Sequence, residues 1–294
     1  MLRPKCQSLA RGGSPSLGVR THRRGAWQRR TRRGRTVGEG SSSRVAMMRP
    51  MTRLDLDRIR RAEAAIDPVF RDSPQYECAP VGDALGCSIT LKVETFNPVR
   101  SFKGRGTETV MSALSQRPGP LAAVCASAGN LGQALAYSGA RRGIPVTVVA
   151  ARTASPLKIE RIRALGATVR LEGDDIEDAR LLARRIAADD SAYLVEDSLD
   201  IATCEGAATI GLELFERTQE LDTLVIALGG GAMASGVGYV TKLLAPHVEV
   251  IAVQPKGAPA MALSWRKGAV VETDTIDTIA DGVAGPLPHP RSPR

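Results

Sequence analysis

The chain has 294 residues, of which 43% are hydrophobic and only 3% aromatic, and a formal net charge of +9. That is enough for one large or two modest domains with cores of Ala, Val, Leu and Ile, and no apolar run approaches the ~18–20 residues of a membrane span. The charge excludes a nucleic-acid surface rather than implying one. Residues 1–50 carry twelve Arg and one Lys against the single acid Glu39, a local +12, while the remainder has 27 basic and 30 acidic residues and is −3. The excess therefore sits in a Gly/Ser/Arg segment that cannot fold alone, not on folded elements where a nucleic acid would be read.

Cys6, Cys78, Cys87, Cys125 and Cys204 are irregularly spaced with no C-x-x-C pair. This argues against a zinc knuckle or disulfide framework and for free thiols in a reducing cytoplasm. The three histidines are His22, His247 and His289. They leave no basis for a histidine triad or a histidine metal site, so an enzyme of this sequence needs another group to move protons.

In chain order, residues 1–50 are Arg-rich and acid-poor in the manner of a transit peptide. They lack a clear amphipathic period and read as a disordered or spurious extension, with translation starting at Met47, Met48 or Met51. From residue 51 the pattern changes. Leu54–Ile66 reads as an amphipathic helix and Ile89–Thr95 as a strand, and a helix begins near Ser101. Strands at Leu121–Cys125, Val146–Ala150 and Ala167–Leu171 then alternate with helices at Asn130–Arg142, Leu157–Leu165 and Ile176–Ala188. A helix at Glu205–Arg217, a strand at Thr223–Leu228, a helix at Met233–Leu244 and a strand at Val248–Val253 follow. Short Val/Ile-rich strands alternating with helices predict an α/β fold with open parallel sheets covered by helices on both faces. In such folds ligands gather where strands end and helices begin, and three loops there are unusual.

The first loop runs from Asn97 to Gly106 and places Lys103 between Phe102 and Gly104, with Ser101 as an N-cap. The positive end of a helix and partial burial both disfavour an ammonium, which suits a lysine to act as nucleophile and base. The third loop, Gly229-Gly230-Gly231-Ala232-Met233-Ala234-Ser235-Gly236, lets backbone N–H groups approach an anion at a helix start. It lacks the Gly-Lys-Ser/Thr of a P-loop, and it lacks the third glycine of a dinucleotide fingerprint. One small phosphate fits it better. The second loop, Ser127-Ala128-Gly129-Asn130-Leu131-Gly132, offers backbone donors, a hydroxyl and an amide suited to a carboxylate or phenolate oxygen.

Together, Glu94 with Ser101-Phe102-Lys103-Gly104-Arg105-Gly106, then Ser127-Ala128-Gly129-Asn130, Gly229-Gly230-Gly231-Ala232 and Ile279-Ala280-Asp281-Gly282, resemble the threonine/serine dehydratase branch of the fold type II pyridoxal-phosphate enzymes. The resemblance runs from about Leu54 to Gly285. It implies pyridoxal 5'-phosphate as cofactor, joined as a Schiff base to Lys103, the catalytic residue. Phe102 would pack on the ring, Asn130 would contact its 3-oxygen, Gly229, Gly230, Gly231, Ala232 and Met233 would hold its phosphate, and Gly282 would line the cofactor. Ser127, Ala128, Gly129 and Asn130 would grip the carboxylate of a small amino-acid substrate. The implied activity is elimination from a threonine- or serine-type substrate to a 2-keto acid and ammonia. Racemisation, β-replacement, or a cofactor-binding remnant without catalysis are the alternatives. Relatives often dimerise, so a homodimer in the cytoplasm is expected.

Three departures qualify the resemblance. The family's second serine in the carboxylate loop, which in racemases protonates the opposite face, is Ala128 here and favours elimination. Where metal-binding members carry acids this chain has Gln254 and Ala260, so no tightly bound metal is expected. After Gly282 the family continues for several elements, including the partner of the pyridine nitrogen, whereas this chain ends in a Pro/Arg tail and is expected to be truncated. The expected organisation is a large cofactor domain from 51–120 and 199–285, a small domain from 121–198, and tails at 1–50 and 286–294.

Overall fold

The computed structural model describes residues 53–119, 121–218, 220–273 and 276–283. The expectations for residues 1–50 and 286–294, including Cys6, His22 and His289, lie outside the described residues. The first helix, α1 (Leu56–Ala65), is capped by Asp55, whose carboxylate accepts from Arg58 N–H, and it buries Ile59 and Ala62. Strand β1 (Gln75–Glu77) follows, then α2 (Ala79–Leu85), then β2 (Thr90–Lys92). The pair β1–β2 is antiparallel, Gln75 facing Lys92 and Glu77 facing Thr90. This corrects the expectation of parallel sheets alone: β1 is three residues long and has no periodicity to reveal it.

Helix α3 (Lys103–Ser115) leads into β3 (Ala123–Ala126), α4 (Asn130–Arg142), β4 (Val146–Ala150), α5 (Pro156–Ala164), β5 (Thr168–Leu171), α6 (Ile176–Asp189) and β6 (Tyr193–Leu194). The four strands form one parallel sheet in the order β5-β4-β3-β6. Its two faces are covered differently. On one, Val110, Met111 and Leu114 of α3 and Leu131 and Leu135 of α4 pack with Cys125, Val148 and Ile162. On the other, Ala179, Ala183 and Ile186 of α6 meet Val124 and Val149. Alternate strand residues thus bury against opposite helical layers, as a buried parallel sheet requires.

The chain continues through α7 (Ile201–Arg217), β7 (Thr223–Ala227), α8 (Ala232–Leu244), β8 (Glu249–Val253) and α9 (Ala260–Lys267). Strands β7 and β8 are parallel, Thr223 opposite Glu249 through Ala227 opposite Val253. Ile226 packs on Ile210 of α7 and Val237 of α8, while Val225, Ile251 and Val253 are exposed. Among the described residues, helices therefore cover one face of this pair rather than two. No helix among the described residues is long and apolar enough to cross a membrane.

Helices α3, α7 and α8 approach until their backbones touch. A Cβ at Gly106 would lie 2.8 Å from Thr203 O, one at Gly206 would lie 2.5 Å from Arg105 O, and one at Gly236 would collide with Cys204 O. The blocking atoms are backbone, so no rotamer change relieves them. Gly206→Ala is expected to destabilise the fold by roughly 1–3 kcal/mol, the usual cost of overpacking, read as a lowered thermal unfolding midpoint. Gly119→Ala, where nothing lies within 4 Å but φ is +96°, separates backbone strain from crowding.

Candidate active site

Lys103 sits at the first position of α3, preceded by Phe102 in helical conformation with no side-chain cap of its own. The Ser101 hydroxyl still accepts from Lys103 N–H at 3.4 Å, so the cap expected of Ser101 operates weakly, on the first N–H of the helix. Asn97 organises the approach. Its side-chain amide donates to Glu94 O at 2.9 Å and Ser101 O at 3.1 Å, and its oxygen accepts from Val99 N–H at 3.1 Å and Ser101 N–H at 3.3 Å.

Two residues beyond Lys103, Arg105 is fully buried. Its guanidinium forks onto Glu94 at 2.8 and 3.0 Å and onto Glu213 of α7 at 2.6 and 2.9 Å, and it also donates to Thr209 at 3.1 Å. Lys92 of β2 completes the cluster, 2.5 Å from Glu213. Two cations and two carboxylates balance, which is the condition for keeping charge inside. Burial alone pushes the Glu213 carboxyl up, but hydrogen bonds and charge from Arg105 and Lys92 outweigh it and hold the group at about 2. A second pair, Arg142 to Glu108 at 2.7 and 2.9 Å, ties α4 to α3.

The lysine nitrogen is not left to the helix end alone, as the sequence suggested. It forms a 2.5 Å ion pair with Asp197, between β6 and α7, and lies 4.7 Å from the centre of the Phe102 ring. Phe102 itself packs with Ile210, Ile226 and Val237. Asp197 links the lysine to the glycine loop, because a Cβ at Gly230 would lie 3.1 Å from its second carboxylate oxygen. The loop continues to Gly231, whose φ of +101° is left-handed, and α8 opens there without a side-chain cap. Helices α1, α6 and α7, by contrast, are capped by Asp55, Asp175 and Asp200. The first N–H groups of Ala232 and Met233 thus have no capping carboxylate to answer them, and an anion there would meet donors and the positive helix end together. The residues fit a phosphate: glycines that admit it closely and a helix end that prefers it.

The second loop closes the ring of neighbours. Gly129 N–H donates to the Ser127 hydroxyl at 3.2 Å, and α4 also opens without a side-chain cap, at Gly129. Ser127, Ala128 and Gly129 are half-buried, and Asn130 is exposed. Asn130 reaches the later motif: a Cβ at Gly282 would lie 3.7 Å from its amide nitrogen, and one at Gly229 would lie 3.2 Å from Val283 Cα. The structure therefore brings Lys103, Gly230, Asn130 and Gly282 into one neighbourhood through Asp197 and Val283. A cavity of about 100 Å³, lined by Ala126, Leu131, Arg180, Asp197, Ser198 and Gly230, adjoins it. Gln254, read as the replacement for a metal ligand, accepts from Ala262 N–H at 2.9 Å in the first turn of α9. Among the described residues no group of three or more His, Cys, Asp or Glu is placed to hold a metal ion.

Known proteins of similar sequence and fold identify the family. The family of pyridoxal-phosphate dependent enzymes matches residues 66–294, and the chain belongs to it. Within that family it is a fold type II enzyme of the threonine/serine dehydratase branch, dependent on pyridoxal phosphate. It is 30% identical to a serine racemase of Oryza sativa subsp. indica over 251 residues, 85% of this chain and 72% of that one. It is 34% identical to an L-threonine ammonia-lyase of Thermotoga maritima over 231 residues, 79% of this chain but 58% of that one. Among solved structures, the processed form of threonine deaminase isoform 2 from Solanum lycopersicum aligns with a TM-score of 0.74 at 32% identity, covering 82% of this chain and 68% of that one.

Two predictions test the buried cluster. Arg105→Met removes the cation that Glu94 and Glu213 share, leaving Lys92 alone to answer Glu213, and is expected to cost about 3 kcal/mol, the lower range for breaking a buried pair, measured by denaturant unfolding. The depressed Glu213 also sets an acid limb. Its contribution is complete above the unfolded glutamate value of about 4.3 and is lost as pH falls towards the folded value of about 2. The thermal midpoint of the wild type should therefore fall through that window, and Glu213→Gln should lower the midpoint at neutral pH while flattening the acid limb.

Proposed function

We propose that this enzyme eliminates water from a small hydroxy-amino acid of the threonine or serine type, and that hydrolysis of the resulting enamine, through its imine, takes a water back as ammonia leaves and yields a 2-keto acid. The observation that carries the reading is the placement of Lys103 Nζ, through Asp197, beside the glycine loop that opens α8. When bound, pyridoxal phosphate supplies an aldehyde that an amine can join and a ring that delocalises the electrons left by a departing Cα proton.

In this reading Lys103 is the catalytic residue, attaching the cofactor and taking the Cα proton. Gly229, Gly230, Gly231, Ala232 and Met233 hold the phosphate through backbone N–H groups, and Ala232 keeps the N–H that a glycine would offer. Asn130 donates to the ring 3-oxygen, Phe102 packs against the ring, and Gly282 leaves room beside Asn130. Ser127, Ala128, Gly129 and Asn130 bind the substrate carboxylate at the open start of α4. At position 128 a methyl group stands where a hydroxyl could protonate the opposite face, which supports elimination over racemisation.

The same reading divides the chain into a small domain of 121–198, supported by the continuous four-stranded sheet over 123–194, and a large cofactor domain of 51–120 with 199–285. It also carries a cytoplasmic homodimer. The thiols Cys78, Cys87, Cys125 and Cys204, none of them in a disulfide, are consistent with the location, and sedimentation would test the dimer.

The expected outcome is release of pyruvate from L-serine or 2-oxobutyrate from L-threonine, followed by coupled reduction of the keto acid. Lys103→Ala should abolish the visible absorbance of the lysine-bound cofactor and lower keto-acid release by at least roughly a hundredfold, the lower range of what a positioned acid–base group contributes. Conversion of L- to D-serine as fast as pyruvate appears would overturn the assignment to elimination.

A further inference from the structure

The reading of Lys103 as the cofactor lysine leaves Asp197 without a role, although its carboxylate is 2.5 Å from the lysine nitrogen. We propose that Asp197 is a positioning residue for Lys103, holding its nitrogen beside the glycine loop whenever that nitrogen is not joined to the cofactor. The inference rests on the proposed role of Lys103 and adds a second group to it.

The geometry supports a built contact rather than a chance surface pair. The Lys103 side chain is 15% exposed and that of Asp197 is 32% exposed, so solvent screens the pair less than it would on an open surface. Asp197 holds its place at a backbone φ of +30°, in the left-handed region. The turn is closed by Leu199 N–H donating to Glu196 O at 2.8 Å and Asp200 N–H donating to Asp197 O at 3.2 Å. The Thr203 hydroxyl also donates to Asp197 O.

The other ionisable groups around the pair are accounted for. Cys125 and Cys204 are pushed up to about 12, by burial first and then by the charge of Asp197, so both stay neutral thiols. Glu196 is paired with Arg184 at 2.8 Å, and Arg180 is paired with Glu177. Asp200, raised chiefly by burial, accepts from the Tyr193 hydroxyl at 2.9 Å and from Ala202 N–H at 3.0 Å. Burial, aided by Asp200, pushes Tyr193 up to about 12. Among the described residues, Asp197 is the carboxylate that meets Lys103.

Asp197→Asn and Asp197→Gly test the idea, since both residue types tolerate a positive φ and neither carries the charge. The full chain, freed of cofactor, would be acylated with an activated ester and Lys103 modification followed by peptide mass spectrometry. Lys103 should react several-fold faster in both variants, because its nitrogen is no longer held against a carboxylate, and the wild-type rate should rise towards that of the variants as salt is added, since ions screen the pair. Equal rates at low salt would overturn the proposal. So would a ratio indifferent to salt, which would describe a loosened backbone rather than a lost charge. If one variant loses the wild-type circular dichroism spectrum, the other decides. The visible absorbance of the holoenzyme keeps the two readings apart. Its absence from the wild type, or its survival in Lys103→Ala, defeats the assignment of Lys103. Its presence together with an unchanged acylation rate defeats the role of Asp197 alone.

Discussion

The buried Arg105 guanidinium is the interaction on which the site depends. It joins three parts of the chain that are far apart in sequence: the loop after β2 through Glu94, the start of α3, and the middle of α7 through Glu213. Lys92 adds β2 to the same cluster. Such a cluster is a poor source of net stability, because desolvation offsets much of the attraction. Its value is directional. Arg105 lies two residues after Lys103 on the same helix, so fixing its two forks fixes how α3 begins and where the lysine can point.

The helix starts at the second and third loops lack the aspartate caps of α1, α6 and α7, a lack they share with α5 and α9. Helices α1, α6 and α7 satisfy their first N–H groups with aspartate side chains, as ordinary structural helices do. Helices α4 and α8, which begin at the second and third loops, carry glycine at the cap and no side-chain acceptor. Glycine leaves the approach open and supplies no acceptor to the first N–H groups, as the proposed carboxylate and phosphate sites require. The acid that does enter the site, Asp197, serves the lysine instead of a helix cap.

Much of this was legible in the sequence. The alternation of short Val/Ile strands with amphipathic helices placed α4 and β4 at their observed limits, because buried parallel strands and their covering helices carry strong periodicity. The three loops at strand ends were found because Lys103, the Ser127–Gly132 turn and the Gly229–Gly231 run are unusual in residue type and local in sequence. What escaped was either short or non-local. Strands β1 and β6 have three and two residues, too few for a period. Helix α7 begins at Ile201 rather than Glu205, a start that Asp200 signals as a cap. The partners of Arg105, and the meeting of Lys103 with Asp197 across 94 positions, are set by tertiary packing and leave no local pattern.

The contact between α3, α7 and α8 has a consequence for how this sequence can change over time. Gly106, Gly206 and Gly236 each face a backbone carbonyl of a neighbouring helix across a gap too small for a methyl group. A substitution at any one of them has no compensating partner, since the obstructing atoms are common to every amino acid. Positions lining a site can drift in pairs, with one side chain shrinking as another grows. These three cannot, and the helix starts that carry Lys103 and the glycine loop inherit that immobility.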